Sequence, residues 1–214
     1  MIDKEKIAET LKLLNKAAIM ETTRGNYEQA LTIFGQSQEL EQQLGLRLQV
    51  GESLVNKANV YFLMEKYDLC LEALKQAGEI FQKEKNPRGI FKSQQLAGEV
   101  HFRNKEYDKS AQVYEKCLRI SSGGRERAIS CFQAAVSYLK LKNNYKAQDY
   151  LGKSIAEFTR LDDKIGLIDC LRQRALLFKS MGRKDLALND LRKCLDLTDN
   201  QDLIGDINQQ MANI

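Results

Sequence analysis

The sequence predicts an all-α protein, a solenoid of about five helix–turn–helix pairs with one additional C-terminal helix, on three observations. The first is composition: one proline and no tryptophan in 214 residues, with a weighting toward Leu, Ala, Gln, Lys and Glu, which lose little conformational freedom on entering a helix. The second is periodicity. Apolar and small residues return at three- and four-residue intervals, as in Leu54, Ala58 and Tyr61 and then Cys70, Leu74, Ala77 and Phe81, which is the spacing of one helix face. The third is an internal repeat. The segments Gly25–Phe34, Glu65–Leu74, Lys105–Tyr114, Asn143–Leu151 and Gly182–Leu191 align, with Tyr27, Tyr67 and Tyr107 at intervals of 40, Tyr145 after 38 and Lys184 after 39. A fixed period of this length is the mark of a stacked repeat architecture.

In chain order, Asp3 is placed to cap a first helix running to about Thr22, with Ile7, Leu11, Leu14 and Ala18 on one face. Gly25 makes the turn, and a second helix from Tyr27 carries Ala30, Leu31, Phe34 and Leu40 until Leu44-Gly45 ends it. The next pair repeats this through Phe81, and Asn86-Pro87 breaks the chain because proline lacks an amide and disfavours helix in the residue before it. A third pair uses Ala97, Gly98, His101, Ala111, Tyr114 and Cys117. At Ser121–Ala128 two serines and two glycines shorten the interval, marking either a short loop or a bend between two halves. The fourth pair carries Ala134, Ala135, Tyr138, Ala147, Leu151 and Ile155, and the fifth Leu171, Ala175, Phe178, Ala187, Leu191 and Cys194. Tyr138 and Tyr145 are seven apart where Tyr61 and Tyr67 are six apart, so the fourth pair is expected to hold one inserted residue. The expected repeats are about 4–44, 45–86, 87–122, 125–162 and 163–200. Residues 201–214, with Leu203, Ile207, Met211 and Ile214 in one stripe, form a capping helix or the first half of a sixth repeat, and that stripe could stack on another copy.

Several function classes are disfavoured. The 33 basic and 29 acidic residues, net +4, are interspersed, so no basic stripe marks a nucleic-acid footprint. No apolar run approaches the roughly 20 residues needed to span a bilayer. Five cysteines without a CxxC pair, and one histidine, complete no zinc site and imply no metal or other cofactor. They read as buried free thiols, and a cytoplasmic, reducing location is expected. His101 falls where other repeats place Tyr61, Tyr138 and Phe178, a packing position, and no nucleophile–base arrangement or phosphate loop is present. The chain is expected not to be an enzyme.

The small residues Ala58 and Ala77, the aromatics Tyr61 and Tyr67, and their counterparts Gly98, Tyr107, Tyr114, Ala135, Tyr138, Ala147, Gly182 and Ala187 resemble the tetratricopeptide repeat superfamily over essentially the whole chain. The period of about 40 resembles the longer-repeat class of G-protein signalling modulators, kinesin light chains and bacterial peptide receptors. The resemblance implies a right-handed solenoid whose first helices line a concave groove, and recognition there of a peptide or partner helix. Two residues before each small residue the first helices carry Lys16, Asn56, Leu96, Gln133 and Gln173. One residue earlier they carry Asn15, Val55, Gln95, Phe132 and Arg172. An amide offers both donor and acceptor to an extended backbone, although amides in a glutamine-rich chain also face solvent by default. Candidate groove residues are therefore Asn15, Asn56, Asn59, Lys92, Gln95, Glu99, Arg103, Gln133, Lys140, Arg172 and Gln173. The family's clamp for chaperone C-terminal tails is matched only by Asn56 and Lys92, since Asn15, Ile19 and Leu96 occupy its other three places. The leading function is a protein-interaction scaffold. Alternatives are a self-associating structural segment, or a peptide sensor hinged near residues 121–124.

Overall fold

The computed structural model describes residues 4–121 and 123–214, so Asp3, the expected first cap, lies outside the described residues. The fold is all-α and of the helical-repeat solenoid class: among the described residues there are eleven helices and no strand. The chain divides into two compact units, residues 1–104 and 105–214. Ser121 and Gly124 lie inside the second.

The first unit holds α1 (Lys4–Thr23), α2 (Tyr27–Gln43), α3 (Arg47–Leu63), α4 (Tyr67–Lys83) and α5 (Pro87–Arg103). Each of α1 to α4 ends in a tight reversal, in which the left-handed residue is Gly25, Gly45, Glu65 and Lys85 in turn. At the α3–α4 turn the Lys66 amide donates to the Tyr61 carbonyl at 2.9 Å and the Glu65 amide to that of Phe62 at 3.0 Å. These bonds satisfy carbonyls that the ending helix leaves open. Pro87 opens α5 where its missing amide costs nothing, while the Asn86 side chain accepts from the Gly89 amide at 3.0 Å. The core runs along the second helices, as in α4, where Cys70, Ala73, Leu74, Ala77 and Phe81 are all buried. Burying the Phe81 ring contributes on the order of 2–3 kcal/mol, and Gly89 makes room for it, since a Cβ there would overlap the ring.

The second unit holds α6 (Tyr107–Ile120), α7 (Gly124–Lys140), α8 (Asn144–Arg160), α9 (Lys164–Ser180), α10 (Lys184–Asp196) and α11 (Gln201–Ala212). Its core gathers Ala128, Ala135, Tyr138, Leu151, Phe158 and Leu177, and then Leu171, Phe178, Leu191 and Ile207. Phe158 packs on Gly166 as Phe81 packs on Gly89, and Asp163 caps α9 by accepting from the Gly166 amide at 3.1 Å. The repeat contracts within α6, which has 14 residues where α4 and α8 have 17. Ser121 and Gly123 are extended there, in place of the usual left-handed reversal.

One expectation is corrected. The fourth pair contains no insertion: the left-handed residue Lys142 follows Ala135 by seven positions, as Glu65 follows Ala58. The residue equivalent to Tyr67 is Asn144, which opens α8, and Tyr145 is 86% exposed. The turn keeps its register by backbone geometry, not by the aromatic. At the C-terminus, Ile207 of α11 is fully buried within the chain, with Leu203, Met211 and Ile214 packed beside it.

Candidate functional site

The candidate residues sit on first helices, and the structure separates those whose polar groups are occupied from those that are open. Asn15 on α1 has a buried Oδ1, and its side chain approaches the buried carboxyl of Glu41 on α2. Its amide therefore faces a helix interface. Glu99 and Arg103 on α5 occupy each other, with Nε donating to Oε1 at 3.0 Å, while the guanidinium lies 5.8 Å from the centre of the Phe62 ring. Asn59 donates to the Val55 carbonyl of its own helix at 3.2 Å, which leaves its Oδ1 as an acceptor.

Asn56 and Lys92 are brought together. They line a cleft of about 240 Å³ between α3 and the first turns of α5, whose other lining residues are Glu52, Val55, Phe81, Asn86, Arg88 and Gly89. Asn86 and Phe81 are already engaged in capping and packing. That leaves Asn56, Arg88 and Lys92 as the donors turned to the opening, with Glu52 as the opposing carboxylate. Gln95, three residues after Lys92 on the same helix, is half-buried. Sequence reasoning missed Arg88, because it counted positions back from the small residue of each first helix and stopped short of the helix start. The Asn86-Pro87-Arg88 sequence is the signal that would have found it, since a proline in the first turn fixes where the next side chain emerges.

In the second unit Gln133 and Gln173 are half-buried and Lys140 is exposed. Arg172 is drawn to α11, where its Nε donates to Gln210 Oε1 at 3.4 Å. Near it, burial raises the Asp169 carboxyl above its ordinary value, against the lowering influence of Arg172. A network outside the sequence expectations joins α6, α7 and α8. Tyr138 and Tyr150 donate to Glu115 Oε1 at 2.6 and 2.9 Å, and Lys146 Nζ donates to the Tyr138 hydroxyl at 2.8 Å. The two rings stack at 5.7 Å. Burial pushes the Glu115 carboxyl up, yet the phenols and Lys146 together hold it below its ordinary value. Both phenols are pushed up by burial and by Glu115, so they act as donors and not as bases. Its chemistry is that of a polar clasp between helices.

All five cysteines are buried and free. Burial pushes the thiols of Cys70, Cys117, Cys170 and Cys194 up to about 12 and that of Cys131 to about 11, so none is a thiolate near neutrality. Among the described residues no group of three His, Cys, Asp or Glu side chains gathers as a metal site, and no helix is long and apolar enough to cross a membrane.

Comparison with known proteins follows the same lines. A tetratricopeptide repeat model matches residues 9–83 and 49–123, and a second tetratricopeptide repeat model matches residues 171–201. The chain is 31% identical over 136 residues to the photosystem I assembly protein Ycf3 of a Prochlorococcus marinus strain, covering 57% of this chain and 72% of the relative. Among solved structures it is similar to the apo form of RapI, with a TM-score of 0.83 at 17% identity, over 92% of this chain and 56% of that one. It is also similar to the apo form of the quorum sensor NprR from B. thuringiensis, with a TM-score of 0.76 at 16% identity, over 96% and 58% of the two chains. This chain thus spans little more than half the length of either structural neighbour.

Proposed function

The chain belongs to the tetratricopeptide repeat family, whose members act as protein-interaction scaffolds, and from that premise we propose that its first helices hold a short peptide or a partner helix without catalysing a reaction. The observation that carries the proposal is the α3–α5 cleft, where Asn56, Arg88 and Lys92 converge on an opening large enough for one or two side chains of a ligand. An amide that both donates and accepts can follow the backbone of an extended segment, and the cations can select an acidic side chain in it. Glu52 on the rim would reject acidic residues at the neighbouring ligand position and so set the register. Two of the proteins this chain is similar to are a photosystem I assembly protein and a quorum sensor.

The test is a peptide array probed with the wild-type chain and with the double variant Asn56→Ala, Lys92→Ala. Lys92 is exposed and Asn56 is half-buried, and both line the cleft, so helicity should be unchanged. Peptides retained by the wild type should bind the variant about tenfold more weakly or worse, the effect of removing one or two well-placed polar contacts. An identical binding profile for the two proteins would remove the cleft from the site. The analogous pair Gln95→Ala, Gln133→Ala asks the same question of the two amide rows.

A further inference from the structure

The first helix of each internal repeat buries two positions against the second helix that precedes it, five residues before and two residues after its small residue. In α3 these are Ser53 and Val60, in α5 Ser93 and Val100, in α7 Ser130 and Ser137, and in α9 Cys170 and Leu177, all buried. The contacts are specific. Ser53 donates to Glu41 of α2, Ser137 shares a hydrogen bond with Ser110 of α6, and Cys170 with Ser154 of α8, while Val60 packs with Ala30 and Phe34 of α2. In α1 the same two positions, counted from Ala18, are Leu13 and Met20. They are the largest apolar residues found there in any of the five helices except Leu177, and they are 60% and 43% exposed. In α1 the positions that the other first helices bury against a neighbour are therefore apolar and open.

The pattern along that face is self-complementary. Glu9, Leu13, Ala17, Met20 and Arg24 span about 80° of arc at 3.6 residues per turn, so they share one side. Reversing the helix about the midpoint between Lys16 and Ala17 carries Leu13 onto Met20 and Glu9 onto Arg24. Two antiparallel copies would therefore set apolar against apolar on both sides of the small Ala17 and acid against base at both ends. Arg24 is 60% exposed at its side chain and is steadied at the helix end by Glu21 at 2.7 Å. We infer that α1 is a homodimer interface, in which a second copy of this chain lies antiparallel across Leu13, Ala17 and Met20, with Glu9 of each copy paired to Arg24 of the other. An isologous contact of this kind closes on itself and does not extend into a filament. One helix face is small for a stable protein interface, so the dimer is a weak, concentration-dependent one.

The test is the solution mass of the 214-residue chain, by sedimentation or light scattering, from low micromolar to submillimolar concentration. The mass should rise from that of one chain toward that of two. Leu13→Glu and Met20→Glu, both at exposed positions, should each hold it at one chain with circular dichroism unchanged. Glu9→Arg alone and Arg24→Glu alone should each weaken the association, whereas the double reversal in one chain should restore it, because both copies then carry the exchanged charges. Ala17→Cys gives an independent reading, since a cysteine near the two-fold should form an intermolecular disulfide while the five native thiols are buried. A mass of one chain throughout, or an association that survives Leu13→Glu and Met20→Glu, would overturn the inference.

Discussion

Glu41 stands fourteen residues after the start of α2, at the position where α4 has Phe81 and α8 has Phe158. It is buried, it accepts from Ser37 and Ser53 at 3.1 Å each, and among the described residues no cation is paired with it. Burial raises its carboxyl above the ordinary range, against the lowering effect of Ser53, Ser37 and Asn15, and nearby Glu52 adds to the rise. Glu41 Oε2 and Asn15 Oδ1 are both buried acceptors lacking a donor, a deficit that a proton on the carboxyl relieves. Because the folded chain binds that proton more tightly than the unfolded chain, the stabilisation is complete below the unfolded carboxylate value and is lost as pH rises through the folded one. Thermal unfolding followed against pH should show the wild type losing ground to Glu41→Gln as the solution becomes less acid. Parallel curves for the two proteins would mean that Glu41 binds its proton equally well in the folded and the unfolded chain. None of this is visible in the one-dimensional pattern, where Glu41 reads as one more acidic residue near a helix end.

At the scale of the helix, glycines of identical composition have opposite roles. Gly89 and Gly166 lie where α5 and α9 meet the rings of Phe81 and Phe158, whereas Gly78 and Gly152 have open space where a Cβ would stand. Gly89→Ala and Gly166→Ala should each destabilise the chain by about 1–3 kcal/mol through overpacking. Gly78→Ala and Gly152→Ala should each stabilise it by about 0.5–1 kcal/mol, the ordinary gain of alanine within a helix. Denaturant midpoints for the four variants would measure both signs. The helices themselves were legible because their spacing is local. The fourth pair misled because Tyr145 repeats a residue type at the wrong position, and identity of side chain is weaker evidence of register than the seven-residue step from Ala135 to the left-handed Lys142.

Within each compact unit, every helix packs chiefly on its neighbours in sequence, which makes stability close to a sum of adjacent interfaces. Phe81→Ala, which empties the buried contact shared by α3, α4 and Gly89, should cost about 3–5 kcal/mol. Its effect should be local. Hydrogen exchange should rise across residues 47–103 and change little in residues 144–212, whereas a uniform rise would show the two compact units to unfold as one.

The sequence by itself determined the helices, their turns, the period and the positions that are buried, including all five thiols, because helical spacing and small residues act over a few residues of chain. It also placed the candidate binding residues on the first helices. Only the tertiary structure decided which of those polar residues are open. Asn15 turns to Glu41, Arg172 reaches Gln210, and Glu99 holds Arg103, while Asn56 and Lys92 meet Arg88 across a cleft. Those outcomes depend on distances between residues far apart in the chain, and residues alike in type and register were sorted by them into those paired with neighbours and those lining an open cleft.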